Sequence, residues 1–301
     1  MIKTSFQTDG FLGTLHILMF MDDTVLFATS REKLIEKFKK CQDFCEQFGM
    51  SINQKKTEFM VINNSNADKE TIVSRGINVK YCKSYTYLGA PITDDGSYLS
   101  MMNLNAKEKM KHTIKYYTFL NRNPDVPFSM KKRVAEACVF SSILYGAETW
   151  FTQNYGKAET MYTKIVKALL DVRHTTCNDV CLVEADMPSF EALVKKKMQT
   201  FIQEKVPKLD CEDPLWKAIE LNRSADTKSY REIQQLLTDK SDIIKEDKEK
   251  RNERLRTSLS SKRATYVVIN PSLKQHKVYK NDLLKEYKRV EFTRYRVFLT
   301  T

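Results

Sequence analysis

The chain has 301 residues, with Lys+Arg 50 against Asp+Glu 38 and a formal net charge of +12. Apolar residues are 42% and charged residues 29%, enough to bury a core, so wholesale disorder is excluded. No apolar run approaches the roughly 20 residues that cross a bilayer, which excludes an integral membrane helix and a membrane partner.

The length predicts about two domains on the usual ~100–200 residues each. Only 8 residues are glycine, roughly 3% against about 7% on average, which favours many helices and few tight turns. Seven scattered cysteines without a repeated spacing (Cys41, Cys45, Cys82, Cys138, Cys177, Cys181, Cys211) read as reduced thiols of an intracellular protein, cytoplasmic or nuclear. Lys3 followed by apolar Phe11 to Phe20 mimics a secretory signal. No small-residue cleavage site follows and the run ends in Asp22-Asp23, so a buried strand is expected and a secreted protein is not.

Residues 14–28 carry apolar side chains on both alternating sets, Leu15, Ile17, Met19 and Met21 against His16, Leu18 and Phe20. That pattern predicts a strand buried on both faces. Thr24 to Ala28 is a second short strand, and the intervening Asp22-Asp23 predicts a hairpin turn. Thr29 to Glu32 fits a capping box. The helix after it is striped at Leu34, Phe38, Cys41, Cys45 and Phe48 and stopped by Gly49. Thr57 to Ile62 is a strand, Asn63 to Lys69 a loop, Tyr85 to Ile92 another strand, and Asp94-Asp95-Gly96 a turn.

From Tyr98 onward helical periodicity dominates, with helices predicted at about 98–120, 128–145, 155–171, 189–205, 214–222 and 229–237, punctuated by prolines. The dense charge run 239–264 predicts an exposed or partly flexible helix. The fold class is therefore α+β, an antiparallel hairpin and sheet with one packed helix followed by a mostly helical region. The domain boundaries are 1–97, 98–187 and 188–301.

Charge follows the first of these boundaries. Residues 1–97 are balanced, whereas 98–173 hold 12 basic and 6 acidic side chains and 174–301 hold 26 and 20. Such an excess suits a polyanion, because neutralised phosphates release counterions. A solvated helical surface is the alternative.

Two adjacent carboxylates at the tip of an apolar hairpin repel each other unless a cation lies between them. Mg²⁺ takes oxygen ligands from one or two carboxylates plus substrate phosphates, and two such ions can assist a phosphoryl displacement. A solvated Asp-Asp turn is the competing reading.

Phe20-Met21-Asp22-Asp23-Thr24-Val25-Leu26-Phe27 resembles the aromatic-X-Asp-Asp signature of reverse transcriptase palm domains. Phe48-Gly49-Met50-Ser51-Ile52-Asn53-Gln54-Lys55-Lys56-Thr57 is similar to the family's Gly-apolar-x-apolar-Asn-x-x-Lys-Thr segment. Tyr87-Leu88-Gly89 with Asp95-Gly96 resembles the strand gripping the primer terminus. Ser142 to Trp150 is similar to a thumb pattern of non-LTR retrotransposon (LINE-type) polymerases. The resemblance implies a reverse transcriptase palm at 1–97, a thumb at 98–187 and a basic C-terminal region at 188–301.

It also implies roles. Asp22 and Asp23 are the catalytic metal ligands for Mg²⁺ (or Mn²⁺), Asp23 the weaker. Lys56 approaches the incoming triphosphate, unless it is a structural lysine. Tyr87, Leu88 and Gly89 position the primer 3′ end, unless they form a plain turn. Lys131, Lys132 and Arg133 in the thumb contact phosphates of an RNA template and DNA primer.

A third catalytic carboxylate from a facing strand is expected upstream in this family, but only 21 residues precede Asp22, and Asp9 reads as a turn residue. The chain thus reads as a fragment separated from palm and fingers segments of a longer polyprotein. It is expected not to polymerise unaided, with an exposed apolar edge where partner strands are missing. The alternative is a non-catalytic basic nucleic-acid-binding protein derived from the thumb. His174, Cys177, Cys181 and Cys211 do not read as a zinc site, because a helical segment explains 179–183 better. Met101, Met102, Tyr116, Tyr117, Phe119 and Phe140 read as core rather than a base-stacking platform.

Overall fold

The computed structural model describes residues 17–64, 68–150, 154–280 and 289–294. Leu15, His16 and Asp9 lie outside them. The chain divides into two compact units, one of Met1–Met101 with Gln203–Gln235, the other of Met102–Ile202 with Leu236–Thr301. The architecture is α+β, with small sheets near the N-terminus followed by helices.

In the first unit, β1 (Ile17–Phe20) and β2 (Asp23–Leu26) form an antiparallel hairpin in which Phe20 pairs with Asp23. The two loop residues are therefore Met21 and Asp22, not Asp22 and Asp23, and Met21 takes a positive φ of 53°. Helix α1 (Arg31–Gln47) follows. Its N-cap is Ser30, whose Oγ accepts from the Lys33 amide at 3.3 Å, one residue beyond the expected Thr29. The Met50 amide donates to the Cys45 carbonyl, and Gly49 turns the chain out at φ 67°.

Of the expected stripe only Phe38 is buried, and Phe48 is 61% exposed, its ring tilted against Phe44 with centroids 4.6 Å apart. Gln42 is buried instead, donating to the Ser74 carbonyl at 3.0 Å and accepting from the Ser74 hydroxyl at 2.6 Å. A buried amide is tolerated because both its ends are satisfied.

The Thr57–Ile62 strand is shorter than expected, β3 (Glu58–Phe59). It lies parallel to β5 (Ile77–Tyr81), which pairs antiparallel with β4 (Ile72–Ser74). Arg75 and Gly76 make the β4–β5 turn with φ 45° and 77°, the two positive values of a type I′ hairpin. Phe38, Phe59, Ile72 and Val79 form the core of this layer, with Leu26, Leu34 and Ile35 packed against it. Residues 85–92 are two strands, not one. β6 (Ser84–Tyr87) pairs with β7 (Ala90–Thr93) around Leu88-Gly89, again with two positive φ values.

Helix α2 (Tyr98–Arg122) leads into the second unit. There α3 (Phe128–Val134) continues through a π-helical stretch, Ala135–Phe140, into α4 (Ser141–Ile143). Helices α5 (Gly156–Leu169), α6 (Asn178–Glu184) and α7 (Phe190–Glu204) complete the first half of this unit. α8 (Pro214–Ser224) and most of α9 (Lys228–Thr238) group with the first unit.

The rings of Phe140, Tyr162 and Phe190 pack in sequence at 4.7 and 5.6 Å, a large apolar burial in favourable tilted geometry. Met101, Met102, Tyr116 and Phe140 are buried, in keeping with a core role, while Tyr117 and Phe119 are half-buried.

The charge run 239–264 contains α10 (Ile243–Arg256) and the start of α11 (Ser261–Ile269). α10 is not exposed all round, since Ile243, Arg251 and Leu255 are buried. Arg251 donates to the Met187 carbonyl at 2.9 Å and pairs with Asp247, which accepts from Ser189. Leu255 and Tyr266 join Val180, Val183 and Leu273 in one cluster.

Leu255 is fully buried while Leu259 stands wholly in solvent. Leu255→Ala therefore lowers unfolding free energy by about 2–4 kcal/mol, the usual cost of a core cavity, and Leu259→Ala changes it by less than ~0.5 kcal/mol. Urea denaturation of the two variants measures the contrast.

Candidate functional site: the Asp22–Asp23 hairpin

Strand geometry decides where the two carboxylates point. Asp22 is in the loop, and Asp23 is the first residue of β2, in register with Phe20. Successive strand residues face opposite ways, so Asp23 and Val25 share one face while Thr24 and Leu26 share the other. Leu26 packs on the core of the first unit. On the alternate face, burial raises the Tyr85 phenol above its usual range, and the Asp23 and Glu58 carboxylates add to that rise.

The hairpin itself is open. Ile17, Leu18, Met19, Phe20 and Met21 are all exposed, Met21 at 87%. This corrects the expectation of a strand buried on both faces. Among the described residues β1 pairs only with β2.

Strands β5 to β7 and the turn after them carry further acids and phenols. The Tyr81 hydroxyl donates to Asp94 at 2.6 Å, and that bond is the main reason its pKa is pushed up to about 12. Burial, assisted by Glu58, pushes the Cys82 thiol up to about 11, so it is a poor nucleophile near neutrality. Burial would raise the Asp95 carboxyl, but hydrogen bonds from Ser100 at 2.6 Å, Thr93 at 2.7 Å and the Ser97 amide at 2.9 Å outweigh it and hold Asp95 low. Asp95 is thus a helix-start anchor for α2, not a free acid.

Lys56 lies in an exposed turn, its amide donating to the Asn53 carbonyl at 3.0 Å. Tyr87 is half-buried at the end of β6, with Leu88 and Gly89 forming the hairpin loop beyond it. The positive φ of Gly89, 79°, is accounted for by that turn.

The three consecutive cations of α3 differ in exposure. Lys131 is buried, its ammonium on the Pro124 carbonyl at 2.9 Å. Lys132 donates to the Ala185 and Asp186 carbonyls at 3.1 and 2.9 Å, and burial holds it below the usual lysine range. Arg133 is exposed. Sequence reasoning missed the Tyr81–Asp94 pair and the Glu58 carboxylate, which the parallel pairing of β3 and β5 brings alongside Cys82 and Tyr85.

Asp22 and Asp23 are hard oxygen donors of the kind Mg²⁺ selects. Their number falls short of a complete site, because among the described residues no group of three or more His, Cys, Asp or Glu side chains converges to hold an ion. The described residues therefore fit Mg²⁺ in chemistry but not in count.

A family model described as reverse transcriptase (RNA-dependent DNA polymerase) matches residues 2–92, the stretch holding the Asp hairpin, α1 and the strands up to Ile92. No curated protein and no solved structure matches the chain. No helix among the described residues is long and apolar enough to cross a membrane.

The Tyr81–Asp94 bond has a pH signature. A phenol whose pKa is raised on folding contributes stability that is full below its unfolded value of about 10 and is lost as pH rises through about 12. Ultraviolet titration of native protein should show one tyrosine ionising near pH 12 that moves down toward the ordinary value in Asp94→Ala.

Proposed function

We propose that this protein derives from an RNA-directed DNA polymerase of the non-LTR retrotransposon (LINE) type, represented here by the Asp-bearing part of its palm and a basic helical thumb. One observation carries the reading. The turn Met21–Asp22 sets two consecutive carboxylates at the tip of an apolar hairpin, inside the stretch that matches the reverse transcriptase model.

In this reading Asp22 is the principal ligand for Mg²⁺ or Mn²⁺ and Asp23 the weaker one, with substrate phosphates filling other positions. Lys56 supplies positive charge toward the triphosphate, and Tyr87, Leu88 and Gly89 support the primer end. The partners are an RNA template and a DNA primer. Two-ion transfer draws on carboxylates from more than one strand, and the hairpin tip supplies two. Among the described residues no further acid joins them, and in this reading the chain engages a primer–template without extending it.

A second reading, a non-catalytic basic nucleic-acid binder, is favoured by the position of the charge excess, all of which lies beyond Ser97. Mg²⁺ separates the two. A retained half-site makes hybrid binding respond to the ion, with the response lost in Asp22→Asn, whereas a phosphate binder responds to salt alone.

The test is a primer-extension assay on an RNA template, run beside anisotropy binding of the same hybrid. The expected outcome is salt-sensitive binding, no nucleotide incorporation, and an Mg²⁺ response that Asp22→Asn removes. Steady Mg²⁺-dependent extension abolished by Asp22→Asn would overturn the non-extending part of the proposal.

A further inference from the structure

The second unit contains a half-open cleft of about 350 Å³ lined by Arg173, Thr175, Cys177, Val180, Ser260, Lys262 and Arg263, within the usual ligand-site range of roughly 300–1,000 Å³. Its polar lining is three cations and two hydroxyls, with no acid among them. The cations come from two separate stretches of chain, the segment before α6 and the first turn of α11.

Both walls are held in place. On one side the buried Lys167 donates to the His174 carbonyl at 2.7 Å, and the Thr176 amide bonds to the Arg173 carbonyl at 3.1 Å. On the other, Tyr266 of α11 is buried against Val180 and Val183 of α6 and donates to Glu184 at 2.7 Å. The cleft is therefore preformed by a shared core, and a ligand does not have to organise it.

Electrostatics favour an anion. The nearest acids in sequence are engaged elsewhere, Asp171 by Arg294 at 2.7 Å and Asp179 by Arg254 at 2.9 Å. Neither Lys262 nor Arg263 makes an ion pair among the described residues. Ser260 caps α11 without a side-chain hydrogen bond, so first-turn amides of that helix add donors to those of the side chains. The rest of the lining is Val180 and Cys177, with no aromatic ring. That combination suits a phosphate with its sugar and not a stacked base.

We propose that this cleft binds a phosphate group, and that its source is the phosphodiester backbone of a single-stranded RNA held without regard to sequence. The site is independent of the Asp hairpin. It rests on the nucleic-acid reading above only for the source of the phosphate.

The experiment measures binding of a labelled single-stranded RNA to the full chain by anisotropy across a salt series. Lys262→Glu with Arg263→Glu is compared with a matched reversal on the exposed face of α1, Lys39→Glu with Lys40→Glu. A neutral pair, Lys262→Gln with Arg263→Gln, guards against a folding defect. The cleft reversal is expected to weaken binding about tenfold or more and to flatten the slope of log K against log salt by roughly 0.7–1.4, one to two phosphates. The neutral pair falls between, and the α1 reversal leaves both quantities near wild type.

Equal RNA binding by the cleft and α1 reversals overturns the cleft while leaving the nucleic-acid reading standing. If wild type binds no RNA but inorganic phosphate raises its melting temperature, and not that of the cleft reversal, the phosphate site stands and the polynucleotide source falls. A protein that responds to neither RNA nor phosphate overturns both.

Discussion

The register of a hairpin of two four-residue strands governs what the first unit can do. Pairing Phe20 with Asp23 confines the turn to Met21 and Asp22, and a side-chain period of two then sends Leu26 into the core and Asp23 to the other face. A slip of one residue would bury the carboxylate and expose the leucine. Leu26 ties the hairpin to its layer, while the β1 side chains are exposed. An open apolar hairpin with a charged tip is a poor stability element and a good presenting device, because its tip can meet a ligand without first displacing protein.

Much of this was legible in the sequence, for identifiable reasons. The six helices expected between residues 98 and 237 have apolar stripes long enough to set their period, and their observed bounds differ from the expected ones by a few residues, with a π-helical stretch inside the second, whereas the separate helix Ser261–Ile269 was not expected. The first 97 residues were harder because their strands are short. The β4–β5 hairpin left a readable signal, Arg75-Gly76 between Ile72, Ser74 and Ile77, Val79, and the same Gly-bearing logic splits residues 85–92 at Leu88-Gly89. Gln42 and Ser74 were not legible. A buried amide inside a helical stripe looks like a surface residue until its partner arrives from 32 residues away.

Lysines expose the same limit on the functional side. Lys131, Lys132 and Arg133 are indistinguishable as a basic triplet, yet the first two place their ammonium groups on carbonyls of their own unit and only Arg133 faces solvent. Charge counting finds the basic half of the chain but not which cations remain available. The cleft between the α6 and α11 segments was invisible for the opposite reason, since Arg173 and Lys262 lie 89 positions apart and only packing of Val180 against Tyr266 brings their segments together.

The most direct measurement follows amide hydrogen exchange at residues 17–26 of the full chain bound to an RNA–DNA hybrid with a non-extendable nucleotide, as Mg²⁺ is titrated. The ion is expected to slow exchange at the hairpin, and Asp22→Asn to remove the effect while the hybrid stays bound. A hairpin whose exchange ignores Mg²⁺ in wild type and variant alike would contradict that expectation.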